Sequence, residues 1–379
     1  MENFIAYVPT QLHFGKGVIK GLPEAIAPLG KKVLLMYGKG SVLKNGSYRD
    51  TYDKLTAAGA EIIEYDGIKP NPVVEDVDAA AALGISRKVD FIIAVGGGSV
   101  IDSAKITAIC IHDNVKAWDV VKRKVIPKGA IPLISVLTLA ATGTEMNSVA
   151  VLQNNSTDEK LGYGHISMYP KHSFLDPTYT LSVPANYTAF GIVDLVAHSL
   201  EAWFGAGDAS LSDRFVQSII LEAMEYGPML MNDLTNYDLR ARIMWAATNA
   251  LNGLTSYGRV SGDWAVHGLG HVLSYLYDTP HGASLSIVYP AWLRKIEKRN
   301  PERIAQLGEK LFNTKDAGAT IEGLETFFSK LGSPVKLSEI GKGEKDLKDI
   351  LRIMDHNRVT GMNFKLNAED RKEILMLMV

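Results

Sequence analysis

A change of pattern part-way along the 379-residue chain constrains its fold more than any other feature. Up to about residue 183, short apolar runs alternate with helix-like stretches. Residues 32–37 form an apolar run stopped by Gly38-Lys39-Gly40-Ser41, and a helical stretch over 48–58 precedes a second run at 61–65. Lys69-Pro70-Asn71-Pro72 reads as a loop before an alanine-rich helix at 74–86, and residues 91–95 and 131–137 read as further buried strands. Strands alternating with helices indicate βαβ units and a mainly parallel sheet. From about Asn186 the pattern becomes helical, with amphipathic periodicity over 189–204, 211–231, 239–251, 263–277 and 304–311. Ser212, Asp238 and Ser261 are candidate helix starts. Proline and turn residues at Asp176-Pro177 and Val183-Pro184 mark the change. The expected architecture is a parallel-sheet α/β domain over 1–183 followed by an all-helical domain over 184–379. A chain of this length exceeds what one core usually supports.

The bulk numbers exclude several classes of partner. A net charge of -2 gives no electrostatic support to nucleic acid or an anionic membrane. The opening Met-Glu-Asn-Phe-Ile-Ala-Tyr lacks the basic region and apolar run of a signal peptide, and no stretch approaches a membrane span, so a cytoplasmic address is expected. Cys110 is the only cysteine, which rules out an intrachain disulfide and a thiolate-cluster metal site. Any metal must be held by nitrogen and oxygen.

Gly96-Gly97-Gly98-Ser99 lies between the strand at 91–95 and a helical stretch at 100–108. Glycines let the backbone approach a ligand closely, and a helix N-terminus aims N–H groups at an anion. Two readings stand open at this point. One is a phosphate cradle. The other is a tight turn with Ser99 as N-cap and Asp102 closing a capping-box-like pair. The run is not the G-x-G-x-x-G fingerprint. Thr138-Leu139-Ala140-Ala141-Thr142-Gly143-Thr144-Glu145, at the end of the next presumed strand, adds hydroxyls where open α/β sheets bind ligands. Lys160 could reach a phosphate or ribose, or be solvated surface. After the strand at 32–37 no carboxylate appears until Asp50; small residues, a hydroxyl and lysines occupy the place of the acid that binds an NAD ribose. That loop favours NADP over NAD.

Asp194-Leu-Val-Ala-His198 and His267-Gly-Leu-Gly-His271, followed by His281, carry the chemistry. Residues four apart share one helical face, so each pair can converge on a point. A carboxylate and several imidazoles at one point make a divalent-metal site with room for a substrate oxygen. Spacing alone pairs His267 with His271.

Together these motifs resemble the iron-containing (group III) alcohol dehydrogenase family, over almost the whole chain from Phe14-Gly15-Lys16-Gly17 to Met354-Asp355-His356. The chain is most similar to the branch of NADPH-dependent butanol dehydrogenases and broad aldehyde reductases. The resemblance implies a dinucleotide domain and a helical metal domain, with the active site in the cleft. It implies metal ligation by Asp194, His198, His267 and His281, leaving His271 beside nicotinamide and substrate. It implies cofactor contacts from Gly38, Ser41, Asn71, Gly97, Gly98, Ser99, Asp102, Thr138, Thr142, Asn147 and Lys160. Four protein ligands leave a position open for the alcohol oxygen, which favours this division over a His267–His271 chelate.

The expected reaction is reversible hydride transfer between NADP(H) and a small primary alcohol or aldehyde at one divalent ion, Fe2+ or Zn2+. His271 is the candidate for moving the alcohol proton. The alternatives are a polyol dehydrogenase or another activity on the same scaffold, a metallohydrolase, or a non-catalytic binding protein. Residues 253–289 offer only Arg259 besides histidines, which favours an uncharged substrate. Trp264 and Tyr257 are candidates for the substrate pocket, and a homodimer is the family expectation.

Overall fold

The computed structural model describes residues 1–379, which divide into two compact units. The α/β unit comprises Tyr7–Val183 and Leu234–Met244; the helical unit comprises Met1–Ala6, Pro184–Asp233 and Trp245–Val379. Two short segments therefore fall across the division drawn from sequence. Glu2 N–H donates to Gly258 O (2.9 Å) and Phe4 stacks on Tyr257, so the N-terminus packs with the helical unit. Met244 is fully buried against the sheet core, which places its segment in the α/β unit. The second segment carries the start of the Tyr237–Ala250 helix, whose periodicity alone assigns it to the helical domain.

The α/β unit is built on a six-stranded parallel sheet. Its strands are β1 (Gln11–Phe14), β2 (Lys32–Gly38), β3 (Glu61–Ile68), β4 (Phe91–Gly96), β5 (Leu133–Leu137) and β8 (His172–Leu175), in the order β1-β8-β5-β4-β2-β3. Both faces are covered: Val33, Leu35, Phe91, Ile93, Ile134 and Val136 pack on one side. Leu34, Met36, Ile92, Ala94 and Leu133 pack on the other. That is why the central strands read as unbroken apolar runs. β1 at the edge and β8 beside it are only four residues each and carry no such run, so they escape sequence reading. The registers Tyr37↔Val95 and Gly96↔Leu137 bring the carboxyl ends of β2, β4 and β5 side by side.

β6 (Val149–Asn154) and β7 (Glu159–Gly164) form a separate antiparallel hairpin, turning at Asp158 with φ 56°. Gln153 N–H donates to Pro72 O (2.9 Å), so the hairpin is fastened to the loop that carries Asn71.

The helical unit includes Ala185–Trp203, Ser210–Asn232, Ala265–Tyr277, His281–Glu297, Pro301–Leu311, Ala317–Lys330, Leu347–His356 and Ala368–Leu377. No helix is long and apolar enough to cross a membrane. Two of the expected helix starts shift. Ser212 lies inside its helix and donates to Tyr257 O (2.7 Å), and the helix expected from Ser261 begins at Ala265. The Ala185–Trp203 helix is buried on every side from Ile192 onward, so its polar residues Asp194, His198 and Glu201 all face protein.

Asp370 anchors the last helix. Its carboxylate accepts from Asn367 N–H (3.0 Å) and pairs with Arg299 (2.6 Å) and Lys295 (2.9 Å). Burial works to raise its pKa, but Arg299, the Asn367 N–H and Lys295 outweigh it and hold the group at about 2. The unfolded value is higher, so this stabilisation is present above about pH 4 and is lost as pH falls through about 2. Asp370→Asn keeps the cap and removes the charge. It should lower stability by about 2 kcal/mol at neutral pH, with the difference closing between about pH 4 and 2 in urea midpoints.

Candidate functional site

The cradle in the α/β unit begins where β4 ends. The Gly98–Asp113 helix starts with Gly97 as its N-cap residue and has no side-chain cap. Ser99 is therefore not the N-cap, and Asp102 does not close a capping box. Asp102 is buried and accepts from Thr144 Oγ1 (2.6 Å) and Val151 N–H (2.8 Å). An uncapped helix N-terminus keeps its first N–H groups for an anion. A Cβ on Gly98 would come within 2.8 Å of Thr142 Cγ2, and one on Gly97 within 3.2 Å of Leu139 Cβ. The glycines are thus needed for the close approach of the β4 turn to the loop after β5. At Gly38 a Cβ would meet only ordinary contacts, at 3.5 Å from Val100.

Behind the cradle lies Lys105, fully buried. Its ammonium donates to Thr144 Oγ1 (2.7 Å), Asn147 Oδ1 (3.0 Å) and Val149 O (2.7 Å). Burial pulls its pKa down to about 8, with Asp102 and Glu145 opposing. Asn147 Nδ2 also donates to Gly143 O (3.0 Å). Asp102 and Asn147 thus brace the loop over 142–149. Lys160 is buried rather than solvated, and its Nζ meets Asn71 Oδ1 at 2.8 Å. Asn71 has φ 54°, a left-handed conformation that asparagine tolerates. Thr138 N–H donates to Gly96 O (3.0 Å), while Ser41 opens a one-turn helix after Gly40 (φ 85°).

The Asp/His series converges in the helical unit. Asp194 Oδ1 lies 3.4 Å from His198 Nδ1, 3.6 Å from His281 Nε2 and 3.9 Å from His267 Nε2. One ligand atom each from Asp194, His267 and His281 falls within a 4.8 Å group. His198 borders that group, its ring centroid 4.6 Å from that of His267. His271 stands outside it, 5.5 Å from His281 between ring centroids. The helix carrying His267 and His271 ends at Tyr277, and the left-handed Asp278 turns the chain so that His281 opens the next helix. His281 is 25% exposed whereas the Asp194 side chain is 2% exposed, so the cluster opens to solvent on the His281 side.

Burial keeps the two inner imidazoles neutral. His198 is pushed well below its ordinary value by burial and by His267, and His267 is lowered to about 3 by burial. His198 Nδ1 and His267 Nε2 are buried without a hydrogen-bond partner, so their lone pairs are spent on no protein donor. A carboxylate ringed by neutral nitrogen donors fits a divalent cation and no thiolate-seeking ion.

Sequence reading assigned no role to Glu201 or Asp263. Glu201 Oε1 lies 2.7 Å from His267 Nδ1 and accepts from His267 N–H (3.1 Å), and Oε2 accepts from Trp264 N–H. Burial pushes the Glu201 carboxyl up to about 8, against those backbone N–H groups; a cation at His267 adds to their side. Asp263 accepts from Ala265, Asn363 and Phe364 N–H and so fixes the same corner. Trp264 lies beside the cluster, 5.3 Å from His267, whereas Tyr257 is taken up by Phe4. Of the unassigned histidines, His13 and His172 contact each other at 3.2 Å on β1 and β8.

Residues 9–177 match the family described as iron-containing alcohol dehydrogenase, and residues 188–378 match the C-terminal region of the Fe-containing alcohol dehydrogenase family. The chain belongs to the iron-containing alcohol dehydrogenases. It is 41% identical to a probable NADH-dependent butanol dehydrogenase 1 of Bacillus subtilis, over 99% of both chains. It is 38% identical to the NADPH-dependent aldehyde reductase YqhD of Escherichia coli, again over 99% of each. The crystal structure of NADH-dependent butanol dehydrogenase A from Thermotoga maritima superposes with a TM-score of 0.96 at 37% identity, covering 100% of this chain and 99% of that one. This iron-containing alcohol dehydrogenase is accordingly an NAD(P)- and metal-dependent oxidoreductase of alcohols and aldehydes.

Proposed function

We propose that the enzyme interconverts short primary alcohols and aldehydes, with butanal as a suitable probe, and prefers NADP(H) to NAD(H). The observation that carries this reading is the single Asp194 oxygen with three histidine nitrogens 3.4–3.9 Å away. Asp194, His198, His267 and His281 would hold one divalent ion, Fe2+ or Zn2+, both of which accept this donor set. When bound, the ion supplies Lewis acidity toward the alcohol or carbonyl oxygen. Asp194 and the neutral imidazoles leave a net positive centre there, which favours an anionic oxygen. His271, one turn from His267 and outside the group of Asp194, His267 and His281, would hold or move the alcohol proton. Gly97, Gly98 and Ser99 would receive the cofactor phosphates at the helix N-terminus. Thr138, Thr142, Asn71 and Lys160 would fix the rest of the cofactor, and orientation contributes much of the rate.

The coenzyme preference rests on the loop after β2. Relatives are named for NADH in some cases and NADPH in others. Gly38, Lys39 and Ser41 leave room and positive charge for a 2′-phosphate and place no acid against it. Oxidation of NADPH by butanal, followed at 340 nm with Fe2+ or Zn2+ added back, tests the whole reading. Tight NADPH binding without turnover of any short aldehyde would sink it. Gly38→Asp, which the backbone admits without clash, should move the NADP/NAD preference toward NAD by about tenfold, a change of about 1.4 kcal/mol. An unchanged ratio would show that another residue sets the choice.

A further inference from the structure

We propose that Glu201 is a positioning residue of the metal centre, locking His267 in the one orientation and tautomer that offers Nε2 as a ligand. The inference rests on the metal-site reading above and adds the residue that arms it. Glu201 lies on the helix that carries Asp194 and His198, two turns beyond the first and one beyond the second, and is completely buried. Its carboxylate accepts two backbone N–H groups, from His267 and from Trp264, and its Oε1 stands 2.7 Å from His267 Nδ1.

Each of these contacts has a separate consequence. Both Glu201 oxygens already accept backbone N–H groups, so the side chain is oriented as an acceptor toward Nδ1; with the ring proton on Nδ1, the lone pair sits on Nε2. Nε2 is the atom that faces Asp194. The backbone contacts fix where that ring stands. The Ala265–Tyr277 helix begins at Trp264, in a left-handed conformation (φ 67°), and has no side-chain cap of its own. His267 is the third residue of that helix, and its N–H is one a cap would ordinarily satisfy. Glu201 caps it from the neighbouring helix. One buried carboxylate thus sets the ring's proton, its rotation and the helix end that holds it. Metal-bound histidines commonly need such a carboxylate partner, and its loss weakens metal binding about 10–100-fold.

Glu201→Gln is the test, because glutamine matches the shape but must turn an N–H2 donor toward either Trp264 N–H or His267. Competition of Zn2+ against a chromogenic chelator should show affinity weakened about 10–100-fold in the variant. Ser286→Ala, which breaks buried hydrogen bonds elsewhere in the helical unit, should lower thermal stability and leave Zn2+ affinity unchanged. Metal-free wild type labelled with 15N-histidine, held above about pH 8 so that Glu201 is ionised, should show His267 as the Nδ1–H tautomer, a readout that holds even if the variant folds poorly. An Nε2–H tautomer in wild type, or equal Zn2+ affinity in Glu201→Gln, overturns the role of Glu201 alone. A wild type that binds no divalent metal overturns the site reading itself, and this role with it.

Discussion

His267→Ala should purify without metal and without measurable butanal reduction, while His271→Ala should keep its metal and lose rate. The argument is one of coordination. Binding free energies of about 10–16 kcal/mol for four-ligand sites imply about 3 kcal/mol for each ligand, so losing one weakens binding at least about a hundredfold. The His267 ring is also preorganised, held at Nδ1 and at its backbone by Glu201. Alanine removes Nε2 and leaves the Glu201 carboxylate without its side-chain partner, so Zn2+ added back in excess should restore little. His271 lies outside the group formed by Asp194, His267 and His281. Its loss should leave metal content unchanged and cost about a hundredfold in kcat, the ordinary scale for a proton-transferring group. Metal analysis after gel filtration reads the difference directly. Equal metal loss in both variants would put His271 among the ligands.

The contrast between these two histidines shows what spacing can and cannot carry. An i, i+4 pair is legible because helical geometry is local, and Asp194 with His198 follows that geometry at 3.4 Å. His267 and His271 have the same spacing, yet only His267 falls in the group with Asp194, and the third member of that group, His281, comes from the next helix. That return depends on Asp278 and Pro280, a break legible as a turn but not as a direction. The parallel strands β2, β4 and β5 were equally legible, since strands buried on both faces leave continuous apolar runs. The β6–β7 hairpin was not, because Val149–Asn154 mixes apolar and polar residues without a clean alternation. Glu201 and Lys105 were missed for a shared reason. A charged residue in a helix reads as a solvated face, and only its apolar surroundings say otherwise. In both cases the signal was present: Leu200 and Ala202 flank Glu201, and Ile101, Ala104, Ile106 and Ile109 surround Lys105. What could not be read was the partner, which lies 39 or more residues away in sequence.

Lys105→Met should destabilise the α/β unit by about 3–5 kcal/mol, the scale for leaving a buried charge, here Asp102, without the charge that compensates it. Methionine keeps the length and apolar stem of lysine, so the loss isolates the charge and its hydrogen bonds. The ammonium has three donors and finds three acceptors, on Thr144, Asn147 and Val149. Removing it leaves Val149 O short of a donor and Asp102 without its nearest buried cation. Asp102 already has a raised pKa from burial, with Lys105 the largest influence opposing that rise, so its carboxylate would be driven toward the neutral acid. Asp102→Asn should then relieve part of the damage, and a double-mutant cycle should return a coupling of about 1–3 kcal/mol. The functional consequence follows from where the network sits. Lys105 and Asp102 meet through Thr144, on the loop whose neighbour Thr142 closes on Gly98. Loosening that loop should weaken NADPH binding, read by quenching of the reduced cofactor's fluorescence, and leave metal content unchanged because the Asp/His cluster belongs to the helical unit. Loss of stability with undiminished NADPH affinity would confine Lys105 to a structural role.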